Sequence, residues 1–307
     1  MRAKKTDSQY TLSSRKKKNF TTAMGFLIVP LLFYTFFVIA PVFQAAYYSL
    51  FNWNGLGPIT NFIGFKNFVT IFKDSVFLTA LKNNFLIIVL SLLLQLPTAL
   101  ILALAIGRRF KGSTFFRSIF FLPFILSEII AGTVWTFMYN PQFGLQNTTL
   151  VNLIPALKNF SFLGDPKHVF YSIFIVIWWK YFGLHMVIMI AGLQNIPDEV
   201  VEAAYVDGVN NFQLNWHIIL PLLKPTILIS VFFSIIGSLQ TFAIIWAMGR
   251  GDPVHAAETM VTYLYKFGFL RFSLGYGSSV AIVIFLICLV FNILYQRSIT
   301  GQEQQSG

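Results

Sequence analysis

Six long apolar runs constrain this chain more than any other feature of its sequence. They cover residues 23–48, 85–106, 115–138, 169–193, 218–248 and 279–295, the last extending back toward Leu274. A hydrocarbon layer of about 30 Å is crossed by about 20 apolar residues in a helix, and each run meets or approaches that length. The runs are continuous and do not alternate with a period of two, so they predict helices rather than the strands of a barrel. Composition agrees: only 11% of the 307 residues are charged, where a soluble domain carries about 25%. The expected fold class is all-α and integral to a membrane, with six spans. The first run is too long for the apolar part of a signal peptide and lacks a small-residue cleavage site, so it is read as a retained span.

Charge sets the expected topology. The chain has 22 Lys and Arg against 11 Asp and Glu, and seven of the basic residues precede residue 20. No apolar run carries a basic stripe, so the net charge of +11 is read as topology and not as a nucleic-acid surface. Arg108, Arg109 and Lys111 crowd the loop after the second run, and Arg297 follows the last. The positive-inside bias then puts both termini, that loop and the loop 194–217 in the cytoplasm. The chain divides into a basic tail (1–19), a six-span domain (20–300) and a short tail (301–307). The aromatic pieces FIGFKNFVTIF and DSVFLTALKNN, within 51–84, are expected to lie in the membrane interface. Loops 140–167 and 249–277 either dock a partner outside or cover helix ends. Cys288 is the only cysteine, which excludes an intrachain disulfide.

One polar stretch interrupts the apolar pattern. From Glu202 it reads EAAYVDGVNNFQLNWHIILPLLKP, with no Lys or Arg before Lys224. Pro197 precedes Asp198, which is placed to cap a short helix with acids in its first turn. Val200, Val201, Ala204 and Tyr205 form its apolar edge, and Ala203 keeps the opposite surface low. Gly208 ends the helix as a residue tolerant of positive φ. Asn210 and Asn211 prolong the turn before the chain re-enters lipid near Pro221. Small residues allow a partner close approach and acids fix its register. On residues alone, a docking helix and a plain connecting loop stand level.

The frame Glu202-Ala203-Ala204, then Asp207-Gly208, then Ile218 and Leu220-Pro221, resembles the EAA loop of permease subunits in bacterial binding-protein-dependent ABC importers. Asp207-Gly208-Val209 stands where DGA is usual. FRSIFFLPFILSEIIAGTVWTFMYNPQFGLQN is similar to the third-span region of the carbohydrate branch, WWKYFGLHMVIMIAGLQNIPDEVVEAA to its fourth span, and GRGDP to its GGP turn. FNWNGLGPITNFIGFKNFVTIF resembles the MalF/UgpA-like partner. The resemblance implies a type I importer fold of the MetI-like kind in the bacterial cytoplasmic membrane. It also implies a second homologous permease, two ATP-binding-cassette ATPase subunits, an extracytoplasmic solute-binding protein and a carbohydrate cargo. ATP and Mg would lie on the ATPases, with no catalytic group, cofactor or metal on this chain. Glu202, Ala203, Ala204, Asp207, Gly208, Ile218, Leu220 and Pro221 would couple to an ATPase.

A sugar path needs hydrogen-bonding groups beside aromatic faces. Ser234, Ser238 and Thr241 recur at helical spacing with Gly237 and Gln240 beside them, a stripe suited either to a sugar or to helix packing. The resemblance favours the sugar. Lys180, flanked by Trp178, Trp179 and Tyr181, and Glu128 lie inside apolar runs, where charge is costly and marks function by default. Lys180 serves either cargo or structure. Glu128 has three open roles: a bond to sugar hydroxyls, an ion pair with Lys180, or a place near headgroups. A proton-coupled transporter relaying through Glu128 and Lys180 is the rival function. His185 is read as a packed or hydrogen-bonded helix residue. The phosphate-loop-like GRRFKGS has Ser113 where a lysine belongs and no strand before it, so it is a basic turn.

Overall fold

The computed structural model describes residues 24–107, 112–144 and 160–303. The basic tail, Arg108, Arg109 and Lys111, and the end of the C-terminal tail lie outside the described residues. All regular structure among the described residues is helical, with one isolated antiparallel bridge between Phe51 and Phe62. Five helices are long and apolar enough to cross a membrane: α1 (Met24–Tyr48), α3 (Ser75–Ile106), α6 (Val169–Gln194), α8 (Asn211–Gln240) and α10 (Leu274–Glu303). A short helix α2 (Lys66–Lys73) precedes α3. The third apolar run is a bent pair, α4 (Ser113–Ile125) and α5 (Glu128–Met138), meeting at 94°.

Proline explains much of the local geometry. Three wide-turn π segments, Thr35–Ile39, Ser91–Gln95 and Leu214–Ile219, interrupt α1, α3 and α8. Each is followed within two residues by a proline, Pro41, Pro97 or Pro221. Proline offers no N–H to the carbonyl four residues back and its ring crowds that carbonyl, so the preceding turn widens. In α4, Pro123 sits in the last turn, and Leu126 and Ser127 are extended (ψ 142° each). The single helix expected over 115–138 is therefore corrected to two, because hydropathy does not register a break between two apolar halves.

Three further expectations change. DSVFLTALKNN is not a piece separate from the second span: from Ser75 it forms the first turns of α3, and Phe77 and Ala80 are fully buried in the protein. The fifth span starts at Asn211 and stops at Gln240; after Thr241 and Phe242 a short helix α9 (Ala243–Gly249) packs on α5. The last helix starts at Leu274, as the sequence allows, but runs on past Tyr295 to Glu303.

The helix α6 is the axle of the fold. Buried residues make up 61% of its most apolar window but none of that in α1, so α1 is peripheral. Met186, Met189 and Ile190 of α6 pack against Leu96, Ala99 and Ala103 of α3. Gly183 lets α4 approach: a Cβ there would lie 2.0 Å from the Phe120 carbonyl oxygen.

A cap of residues 249–263 closes one end of the bundle. Asn84, fully buried, donates to the Ser238 carbonyl (2.6 Å) and accepts from the Met260 N–H (2.8 Å), while Asn83 donates to the carbonyls of Ala256 and Glu258. Lys266 bridges Asp252 and the buried Glu258 at 3.1 and 2.9 Å. Burial alone would raise Asp252; the Lys266 ammonium and the His255 N–H outweigh it and hold that carboxyl below its usual range. Asn84→Leu strands two buried backbone groups at about 1–3 kcal/mol each. We expect a clear fall in thermal stability of the purified chain; an unchanged unfolding temperature would show that the asparagine does not hold the cap.

Candidate functional site

Two places combine polar chemistry with an apolar surround. The first begins where α6 ends. Asn195, Ile196 and Pro197 turn the chain into a short helix, α7 (Asp198–Val206). Asp198 does not cap it: Pro197 occupies the cap position with no side-chain bond, and Asp198 and Glu199 lie in the first turn, where acids complement the helix dipole. Gly208 closes the helix at φ +81°, and the N–H groups of Asp207, Gly208 and Val209 return to the carbonyls of Ala203, Tyr205 and Ala204. Asn210 and Asn211 do more than prolong the turn. Asn210 starts α8 through a reciprocal capping box with Gln213, and the Tyr205 hydroxyl donates to Asn211 Oδ1 at 2.7 Å.

The expected apolar edge of α7 is narrower than the sequence suggests. Ala204 is buried among Leu214 and Ile219, with Val201 and Ile218 packed around them, but Val200 and Tyr205 are exposed. Glu202, Ala203, Asp207 and Gly208 are exposed on the side away from that socket; Leu220 is half-buried and Pro221 exposed. The helix is thus anchored by one small residue and presents acids and small side chains outward. Beside it stand exposed apolar groups that sequence reasoning passed over: Val206, 88% exposed, and the stacked rings of Phe212 and Trp216.

The second place is a cavity of about 350 Å³ inside the bundle. Ser91 and Gln95 reach it from the widened turn of α3, Glu128 from the start of α5, Tyr181 and His185 from α6, and Phe233, Ser234, Gly237, Ser238, Gln240 and Thr241 from the α8 end. Seven of the eight side chains expected along a path therefore share one cavity wall. Three buried atoms in this wall have no hydrogen-bond partner: Gln95 Oε1, His185 Nδ1 and Ser234 Oγ. His185 is thus packed but leaves this nitrogen unbonded. Other wall groups are satisfied locally, Ser238 to the Ser234 carbonyl (2.7 Å) and Thr241 to that of Gly237 (2.9 Å). The Tyr181 hydroxyl donates to Glu128 Oε1 at 2.5 Å.

Lys180 is the exception. It is buried and does not line the cavity; its ammonium donates to the carbonyls of Pro123 (3.3 Å), Phe124 (3.1 Å) and Leu126. These carbonyls lie at the break between α4 and α5, where no following turn supplies N–H donors. Of the two roles left open for Lys180, these contacts are those of the structural one: the lysine completes a broken helix. Gln95 and Ser91 were missed, although a glutamine within an apolar run and two residues before a proline is a signal that sequence carries.

Residues 95–300 match the family described as the binding-protein-dependent transport system inner membrane component. YurN of Bacillus subtilis, a probable ABC transporter permease protein, is 35% identical over 280 residues, 90% of this chain and 96% of that one. NgcF of Streptomyces coelicolor, a diacetylchitobiose uptake system permease protein, is 32% identical across 95% of this chain and 88% of its own length. A crystal structure of a bacterial ABC transporter involved in import of the acidic polysaccharide alginate has a chain with TM-score 0.79 at 24% identity, covering 94% of this chain and 99% of that one. That last likeness concerns fold alone. A family match over more than half of the chain, and a relative alike nearly end to end, place this protein among the inner membrane components of binding-protein-dependent transport systems, as an ABC transporter permease.

Proposed function

We propose that the chain is the permease subunit of a bacterial ATP-driven importer that passes a carbohydrate, most simply an oligosaccharide, by alternating access. The observation that carries this is the cavity: the carboxylate, hydroxyl and amide side chains of Glu128, Tyr181, Thr241 and Gln240 line it beside the ring of Phe233. A hydroxyl-rich, uncharged guest with ring faces matches such a wall of hydrogen-bonding groups and aromatic rings. The exposed acids and small residues of α7 suit a groove on an ATPase subunit, so that closure of two ATPases moves two such helices and rocks the spans between inward-open and outward-open states. On this reading a second homologous permease completes the pathway and an extracytoplasmic binding protein delivers cargo. ATP and Mg stay on the ATPases, and both termini of this chain lie in the cytoplasm.

A proton relay through Glu128 and Lys180 has no support in the geometry, since Lys180 is turned to backbone carbonyls and Glu128 takes the Tyr181 hydroxyl. The test is uptake by the complex reconstituted in vesicles. Uptake should require ATP, and Gly237→Trp should reduce it at least tenfold without loss of assembly, because a Cβ at Gly237 meets nothing within 4 Å and an indole would extend into the cavity. Uptake that follows a proton gradient without ATP, or kinetics unaltered by the indole, would overturn the reading.

A further inference from the structure

The cavity wall has a charge pattern that bears on which saccharides can enter. Among the described residues that line it there is no lysine or arginine, and the one carboxylate is Glu128. Lys180, next in sequence to Tyr181, gives its donors to three carbonyl oxygens and stands near enough to attract the Glu128 carboxylate and offset part of its charge. Glu128 also stands at the first position of α5, an eleven-residue helix whose N-terminus adjoins the cavity. A helix N-terminus carries partial positive charge and attracts anions. Here the helix supplies its own anion in the Glu128 carboxylate, and the Tyr181 hydroxyl adds a second favourable partner at 2.5 Å.

We infer that Glu128 is a charge filter, so that this permease carries uncharged saccharides and rejects acidic ones such as uronates or sugar phosphates. The inference rests on the saccharide reading given above and narrows it. A neutral sugar donates a hydroxyl proton to Glu128. A carboxylate or phosphate brought to the same place has no proton to give and meets a like charge in a site with little water. At about 5 Å and the effective permittivity of a protein site, that repulsion by itself disfavours the acid on the order of a hundredfold, and the nearby Lys180 ammonium offsets part of it, leaving about tenfold. The fold alone does not dictate this choice, because the alginate importer that shares it handles an acidic polysaccharide.

The experiment measures saccharide binding to the assembled transport complex, without its binding protein, in lipid nanodiscs, by saturation-transfer NMR. The probes are neutral cellotriose, maltotriose and diacetylchitobiose beside trigalacturonate and trimannuronate. The wild type should bind at least one neutral sugar and bind both acids at least tenfold more weakly. Glu128→Gln, and independently the smaller Glu128→Ser, should raise the acid-to-neutral affinity ratio at least tenfold, because the helix end is then uncovered. Tyr181→Phe removes the hydroxyl but not the charge and should leave that ratio unchanged. A wild type that binds acids as well as neutral sugars overturns the filter while leaving the saccharide reading intact, and needs no variant that folds. A ratio unmoved in folded Glu128 variants does the same. Binding of no probe at all overturns both readings.

Discussion

Gly208→Pro should abolish uptake, by on the order of a hundredfold, while the assembled complex continues to hydrolyse ATP. Gly208 stands at φ +81°, and proline is locked near −65°, so the turn between α7 and α8 cannot form as it stands. The substitution also removes the Gly208 N–H that donates to the Tyr205 carbonyl at 3.0 Å. The consequence is mechanical. Ala204 holds α7 in a socket made by Leu214 and Ile219, and both of those belong to α8 on the far side of the glycine. A redirected chain withdraws α7 from the socket, so movement of a docked ATPase no longer reaches the spans. Graded variants separate backbone from side-chain causes. No atom lies within 4 Å of where a Cβ would be at Gly208, so bulk is not the obstacle. Asparagine, which tolerates the left-handed region, should keep most of the uptake, whereas valine should lose it. ATP hydrolysis and uptake measured in the same vesicles make the comparison. Normal uptake by the proline variant would remove the proposed coupling role from this segment.

Much of the architecture was legible because hydropathy is a local property. A helix in lipid satisfies its own backbone and needs only apolar side chains along its length, so five of the six spans lie on the runs that the sequence marks. The breaks were hidden for the opposite reason. Between Ile125 and Glu128 the chain stays apolar on both sides, and only the carbonyl acceptors left by the bend and the ammonium that reaches them from α6 make the bend stable. That partnership joins residues more than fifty apart, which no window of sequence contains. The same holds for the stop after Gln240, where α9 is positioned by packing on α5. The polar stripe Ser234, Ser238 and Thr241 could be found from helical spacing. Gln95 could not be joined to it without knowing that α3 and α8 face one cavity.

Lys180 gives the second large effect, and it is an effect on folding. An ammonium inside an apolar span is expected to serve a pathway, yet this one makes three backbone contacts with Pro123, Phe124 and Leu126 and lies 5.8 Å from the Phe124 ring centroid. Lys180→Met keeps the length and apolar stem and removes every donor. The buried Pro123 carbonyl left without a partner costs about 1–3 kcal/mol and the partly buried carbonyls of Phe124 and Leu126 less. Together they are a sizeable part of the stability of an ordinary domain, about 5–15 kcal/mol. The expected result is loss of folded protein from the membrane, seen as a collapse of the size-exclusion peak and of the thermal transition in detergent. What remains folded should bind saccharide with unchanged affinity, because Lys180 is not in the cavity wall. The opposite pattern, a stable protein with weakened sugar binding, would return Lys180 to the cargo path. It would also mean that the bend in the third span is held by something other than this ammonium.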